Sequence, residues 1–468
     1  MSADDWLKDS AYRGLLSDVV ANPDDDTPRL VMADWLEENG AEDRARFIRL
    51  QVERAKLSPH SRRAWDLKAE EKPLIEANQD AWLGRLKKAV SRVEWQRGFV
   101  ERVALGVAQL AKNADDLFGL TPLYDIQIMR LAQTKKVTAA DLGKIGALKR
   151  VRSLCLRSSN LGDDRVAELL RAVGFPRLEA LDLTRADVRG KAFDALRDSK
   201  LPKLKSLLLP GNHLAGRLPA VLRSLRGCPM EELELGNTAV SEADLSALAE
   251  WDGLPGLRRL DLAWLNLPGR AFQPLLSSSG LSSLGSLRVS QSPVGAAGTT
   301  ALCRAMPALR ELDLSSASIG RAGLHALAEA SLPSLECLHL SGNKIDASRL
   351  RTFAEWPGLA RLRTLVLTGN EFGDEGARAL ADSRHLGPLV ELGLSFTDIT
   401  AEGLDALGER EELSELASLD LSGNHNLDDA AFGRLLLRPA MDKLLHLKSD
   451  YVSLSAAMRR KLAARFPS

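Results

Sequence analysis

Leu362-Arg363-Thr364-Leu365-Val366-Leu367-Thr368-Gly369-Asn370-Glu371-Phe372 decides the fold. Leucine falls at positions 1, 4 and 6 of this frame, Asn at 9 and an apolar residue at 11. The Leu-x-Leu alternation has the period of a strand with one buried face. The frame recurs as Leu335/Leu338/Leu340/Asn343/Ile345 and Leu204/Leu207/Leu209/Asn212/Leu214. Copies with a small residue in place of Asn start at Leu178, Leu309 and Leu389.

Working outward, first positions are read at residues 123, 151, 178, 204, 230, 257, 284, 309, 335, 362, 389, 416 and 441, with a degenerate copy at Val100/Val103/Leu105. A near-constant interval of this kind is the mark of a repeat array. Leu324 and Leu327, Leu404 and Leu407, Leu245 and Leu248, and Phe193 and Leu196 each share one face of a helix in the second half of a repeat. Parallel strands need such a crossover. Each repeat therefore reads as strand, turn, helix, loop. The frame Asn is expected to satisfy turn backbone with its amide. Leu265 stands at that position in one repeat, where no amide is available.

These residues resemble the leucine-rich-repeat family, and the period with a helical second half resembles its ribonuclease-inhibitor-like subclass. The resemblance implies an α/β fold: a right-handed leucine-rich-repeat solenoid, a curved parallel sheet inside and helices outside, spanning residues 99–449. Leu454 to Phe466 reads as an amphipathic helix with Arg459, Arg460 and Lys461 outward, so residues 450–468 are expected to cap the last repeat.

Residues 1–98 lack the frame and read as a small all-α domain. Asp4 to Ala21 is expected to form one helix. Thr27 reads as an N-cap with Pro28 first in the next helix, and Gly40 as the residue past its end. A third helix carries Phe47, Ile48, Leu50, Val52 and Ala55 up to Pro59. A fourth covers Arg62 to Leu86, interrupted near Pro73. The run Asn22 to Gly40, then Arg46-Phe47-Ile48-Arg49-Leu50-Gln51 and Trp95-Gln96-Arg97-Gly98-Phe99-Val100, resembles the bacterial repeat-companion domain that precedes such repeats.

Lys+Arg and Asp+Glu are equal at 63 each, which gives no electrostatic reason to expect nucleic acid or an anionic membrane. The acidic start, Met1 to Trp6, has no apolar core of a signal peptide, and no membrane span is visible. Cys155, Cys228, Cys303 and Cys337 are scattered, as expected of reduced thiols in a cytoplasmic monomer.

Frame positions 3 and 5 point out of the concave sheet, and position 8 begins its rim. The candidate partner-binding residues are Glu232, Glu234, Asp261, Trp264, Arg288, Glu311, Asp313, His339 and Phe396. They make an acid-leaning surface with an aromatic anchor. The bland alternative is that Leu-Asp-Leu is repeat consensus and Trp264 core packing. On the binding reading, charge reversal at Asp261 and Asp313 chiefly slows association and alters its salt dependence, and does not unfold the array. Trp251 and Trp356, at one shared loop position, read as packing. Asp24-Asp25-Asp26 lacks the spacing of a calcium loop and reads as a turn and cap. The histidines sit in different repeats or phases, and no nucleophile, phosphate-loop or zinc motif is present. The expected function is a non-catalytic protein-interaction scaffold without metal or cofactor. An enzyme regulator, inhibitor or GTPase-activating, is the alternative.

Overall fold

The computed structural model describes residues 3–129, 137–158, 161–199 and 201–466. Residues 1, 2, 467 and 468, which the expected domain boundaries include, lie outside them. The chain forms two compact units. One comprises Met1–Pro59 with Arg63–Glu234, the other His60–Arg62 with Leu235–Ser468.

In the second unit the outward tripeptide of each frame is a strand: Arg259–Asp261, Ser286–Arg288, Glu311–Asp313, Cys337–His339, Thr364–Val366, Glu391–Gly393, Ser418–Asp420 and His446–Lys448. Each is parallel to the next, with the central leucines in register from Leu260 to Leu447. The register places the last frame at Leu444, not 441, since Leu447 pairs with Leu419. Met441 and Leu444 imitate the same three-residue step.

Behind the sheet, the frame leucines interlock with the helix faces. Leu312, Leu314, Leu324 and Leu327 are all buried, as are Leu404 and Leu407. Each such leucine contributes roughly 1.5–3 kcal/mol. The frame asparagines form a buried ladder between repeats. Asn370 Nδ2 donates to the carbonyls of Leu340 (3.0 Å) and Leu367 (2.8 Å), and its Oδ1 accepts from the N–H groups of Asn343 and Ile345 (both 3.0 Å). Asn343, Asn212 and Asn424 repeat the pattern. Leu265 is served from next door: Ser292 Oγ accepts the Leu265 N–H and donates to the Leu262 carbonyl, both at 2.9 Å.

The helix Ala456–Arg465 follows the last strand, with Ser455 capping the N–H of Met458. Leu462 and Phe466 are buried, while Arg460 and Lys461 face outward.

The first unit opens with helices Ala3–Trp6, Ser10–Ala21, Thr27–Glu38, Glu42–Arg54, Arg62–Leu83 and Leu86–Ala89. Val19, Met32, Phe47, Ile48 and Leu67 build their core. Four expectations need correction. The first helix is two, because Asp9 Oδ1 caps Ala11 (2.7 Å) and Tyr12 (3.2 Å) and starts a new one. Thr27 is the first helical residue rather than the cap, and Asp25 Oδ1 accepts its N–H at 2.8 Å. The third helix stops at Arg54, before Pro59. The fourth runs unbroken through Pro73 to Leu83. Leu67 and Leu74, in the core on either side of Pro73, and buried Glu71, bound by Gln51 (3.0 Å) and Arg54 (2.5 Å), hold its two halves in line. Gly40 ends the second long helix at φ +75°, as expected.

The sequence reading also missed a strand. Arg92–Gln96 pairs antiparallel with Phe99–Gly106. The turn is Arg97-Gly98, both at positive φ, and a Cβ on Gly98 would lie 2.5 Å from Ile48. Phe99–Gly106 then leads the parallel strands Asp125–Met129, Ser153–Cys155, Ala180–Asp182, Ser206–Leu208 and Glu232–Glu234.

Two arginines are buried in this unit and are treated differently. Arg29 pairs with Glu101 at 2.5 Å. Arg44 lies among aromatic rings, its guanidinium carbon 4.8 Å from the Trp82 centroid, 4.9 Å from Trp95 and 5.4 Å from Phe99. Burial lowers its pKa to about 10. Ring faces are worth about 2 kcal/mol to a desolvated cation. An unpaired buried ion costs several kcal/mol.

Candidate binding face

The face of the sheet opposite the helices carries frame positions 3 and 5. Aspartate at position 5 has a structural duty. Asp261, Asp313 and Asp420 each use Oδ1 to accept the N–H two residues on, from Ala263 (2.7 Å), Ser315 (2.9 Å) and Ser422 (3.0 Å). Asp182 does the same in the first unit, from Thr184 at 2.9 Å. The bond closes the turn after the strand, so these carboxylates stabilise the repeat as well as charging its face.

The second carboxylate oxygens meet Arg288. Its Nη1 is 3.5 Å from Asp261 Oδ2 and its Nε is 3.2 Å from Asp313 Oδ2. One arginine on the middle strand thus ties together the strands on either side. Burial still raises the Asp261 carboxyl above the usual range, with the bond from Ala263 and the charge of Arg288 opposing.

Glu311, at position 3 of the next strand, is engaged by its own chain. Ser286 Oγ donates to its Oε2 at 3.0 Å, and His60 Nε2 lies 3.3 Å from its Oε1. The His60 Nδ1 is 3.2 Å from Thr364 Oγ1, two strands along, and Arg62 Nη1 donates to the Leu416 carbonyl at 3.0 Å. The tripeptide His60–Arg62 therefore lies on this face. The Glu311 bond holds the His60 pKa above its ordinary value, against burial, and the same bond lowers that of Glu311. His339 is half-buried on the strand between. Cys337 beside it is buried, and burial pushes its thiol up to about 12. Glu232 and Glu234 belong to the first unit, where Ser206 Oγ donates to Glu232 at 2.5 Å.

At the rim, frame position 8 has left-handed backbone in repeat after repeat: Gln291 (φ +56°), Ser316 (+52°), Gly342 (+65°), Gly369 (+67°) and Gly423 (+70°). Glycine suits this conformation and bulky residues do not. Yet Trp264 adopts φ +60° and is 60 % exposed, and Phe396 adopts +52° and is 46 % exposed. Tyr451 stands at the same position of the last repeat, φ +60° and 75 % exposed. Exposure rules out core packing for Trp264. Trp356, by contrast, is 1 % exposed and donates Nε1 to the Ala330 carbonyl at 3.1 Å, which is the packing expected of it.

His60, Arg62 and Tyr451 were not among the sequence candidates. Tyr451 was legible from the frame, had the last copy been set at Leu444. Asp24, Asp25 and Asp26 are turn residues: Asp24 pairs with Arg152 (2.7 and 2.9 Å), Asp25 caps Thr27, and Asp26 meets Lys56 at 3.2 Å. Among the described residues no cluster of His, Cys, Asp and Glu could hold a metal, and no helix is long and apolar enough to cross a membrane.

Residues 306–328, 331–348, 361–381 and 388–408 match the family model described as Leucine Rich repeat. No curated protein matches the chain. Among solved structures, the chain is similar to the Rad7 and Elc1 complex of yeast, at 17 % identity and TM-score 0.46, covering 90 % of this chain and 91 % of that one. It is also similar to an internalin of Listeria monocytogenes, at 17 % identity and TM-score 0.39, covering 77 % and 93 %. The Drosophila Toll–Spatzle complex gives 16 % identity and TM-score 0.38, covering 74 % and 42 %. The repeats are leucine-rich repeats, and the fold is an α/β leucine-rich-repeat solenoid with a helical N-terminal region.

Proposed function

We propose that this protein is a non-catalytic interaction scaffold that takes a protein partner on the open strand face of its second unit. The observation that carries the reading is Trp264. A large aromatic ring stands in solvent, on backbone better suited to glycine, beside a strand face whose charges are already organised. Interface hot spots are enriched in Trp, Tyr and Arg. His60 already engages Glu311, so the partner surface is centred on Asp261, Trp264, Arg288 and Asp313, with Phe396 and Tyr451 as a second aromatic point. His339, on the same face of the second unit, is secondary. The Arg288 side chain is half-exposed and bound on both sides, so it is a fixed cation for an acceptor on the partner.

On this reading the protein is a cytoplasmic monomer of the ribonuclease-inhibitor-like kind. Residues 1–98 are a bacterial repeat-companion domain, 99–449 the array and 450–468 its cap, with no nucleic acid or membrane as partner. Capture from native lysate on immobilised wild-type protein, compared with Trp264→Ala, tests the reading. A retained protein lost by the variant supports it. Identical sets of retained proteins count against it.

A further inference from the structure

Three buried hydrogen-bond donors without an acceptor belong to residues that line one cavity in the first unit. The cavity, about 30 Å³, is lined by Trp6, Tyr12, Arg44, Trp82, Trp95 and Phe99 among others. Arg44 Nη1, Trp6 Nε1 and Trp95 Nε1 are all buried and have no hydrogen-bond partner. Arg44 itself is 7 % exposed, and among the described residues no carboxylate lies within ion-pair distance of it. The fold does pair a buried guanidinium elsewhere, as Arg29 with Glu101 shows. At Arg44 aromatic faces surround the cation instead. Ring faces offset its charge but leave the Nη1 N–H group without an acceptor.

We propose that this cavity binds one small monovalent anion of the halide class, held by Arg44 Nη1 and the indole N–H groups of Trp6 and Trp95. The volume admits one or two water-sized occupants, which excludes nucleotides and amino acids. A water would accept these donors but must also place its own hydrogens. The side-chain oxygens in the lining that could take them are those of Tyr12, Thr121 and Asp4; Asp4 Oδ1 already accepts from Arg85 at 3.1 Å, and the Thr121 hydroxyl donates to the Val100 carbonyl at 2.6 Å. An anion needs donors only. A second groove of about 470 Å³ shares Trp6, Arg44 and Trp82 with the cavity and is lined further by Gly40, Ala41, Glu42, Asp43 and Asn78. Asp4 at the cavity and Glu42 and Asp43 in the groove repel an anion, so affinity is modest and Asp4→Asn strengthens it.

Thermal unfolding of the full chain in sodium chloride, sodium bromide and sodium gluconate, at matched ionic strength, tests the proposal. Matching removes general screening. The expected result is a saturable rise in Tm with chloride and bromide and none with gluconate. Arg44→Met should abolish the halide-specific rise. Trp95→Phe keeps the ring face and removes one donor, and should raise the half-saturating chloride concentration about tenfold. It decides the matter if Arg44→Met fails to fold. Equal Tm in chloride and gluconate would mean that the cavity holds water, and overturns the proposal. So does a halide response whose half-saturation is unchanged in Trp95→Phe.

Discussion

The Phe396 ring lies 6.2 Å from that of Tyr451, across the repeat that separates them, because Gly423 leaves room for it. A Cβ at residue 423 would fall 2.3 Å from Phe396 Cε1, and residue 423 itself is at φ +70°. Gly423→Ala therefore meets both backbone strain and the ring. We expect a loss of at least about 1 kcal/mol in urea unfolding, with Phe396 displaced from Tyr451. An unchanged midpoint would show that the ring moves aside freely.

The asparagine ladder is the strongest polar element of the repeats. Asn370→Ala leaves the Leu367 carbonyl and the N–H groups of Asn343 and Ile345 unpaired in the interior, while the Leu340 carbonyl keeps its bond from Asn343 Nδ2. Each buried orphan costs about 1–3 kcal/mol, so we expect a loss of at least about 3 kcal/mol by denaturant unfolding. A loss below about 1 kcal/mol would mean that water takes over the bonds.

Much of this was legible in the sequence. Leucine spacing reveals strand register because period-two burial and a near-constant interval leave no alternative fold. The amide duty of Asn343 and Asn370 follows from the same frame. Leu265 was not explicable alone, since its partner, Ser292, belongs to the next repeat. The aspartates were half legible: Leu-Asp-Leu marks an outward side chain, but only coordinates show Oδ1 closing the turn. The His60–Glu311 contact joins residues 251 apart in sequence, and no local pattern announces it.

Asp313 separates structure from recognition. Asp313→Asn keeps an oxygen for the Ser315 N–H and removes the charge facing Arg288. Stability should change by less than about 0.5 kcal/mol, since the pair with Arg288 is partly exposed. Asp313→Ala also loses the turn bond and should cost about 1 kcal/mol more. Equal stabilities of the two variants in chemical unfolding would remove the turn role.

His60 and Glu311 give a pH dependence of defined sign. The His60 pKa is raised above 6.5 in the folded state, so its contribution is complete below 6.5 and lost as pH rises through the folded value. The Glu311 pKa is lowered below 4.5, so its contribution is present above 4.5 and lost as pH falls through the folded value. The pair is strongest between those limits. The Tm difference between wild type and His60→Ala should be largest there and shrink above neutrality. A difference that does not vary with pH would mean that the imidazole contributes only as a neutral group. The effect is small, since the Glu311 side chain is 43 % exposed.

The most direct measurement is the affinity of a captured partner for wild type and for Trp264→Ala, made on proteins of equal Tm. The ring stands in solvent and packs no core, so its removal should leave stability within about 0.5 kcal/mol. Binding should weaken by about 2 kcal/mol, roughly thirtyfold in Kd. An unchanged Kd would contradict the account, because the partner would then bind without the residue on which the proposed interface is centred.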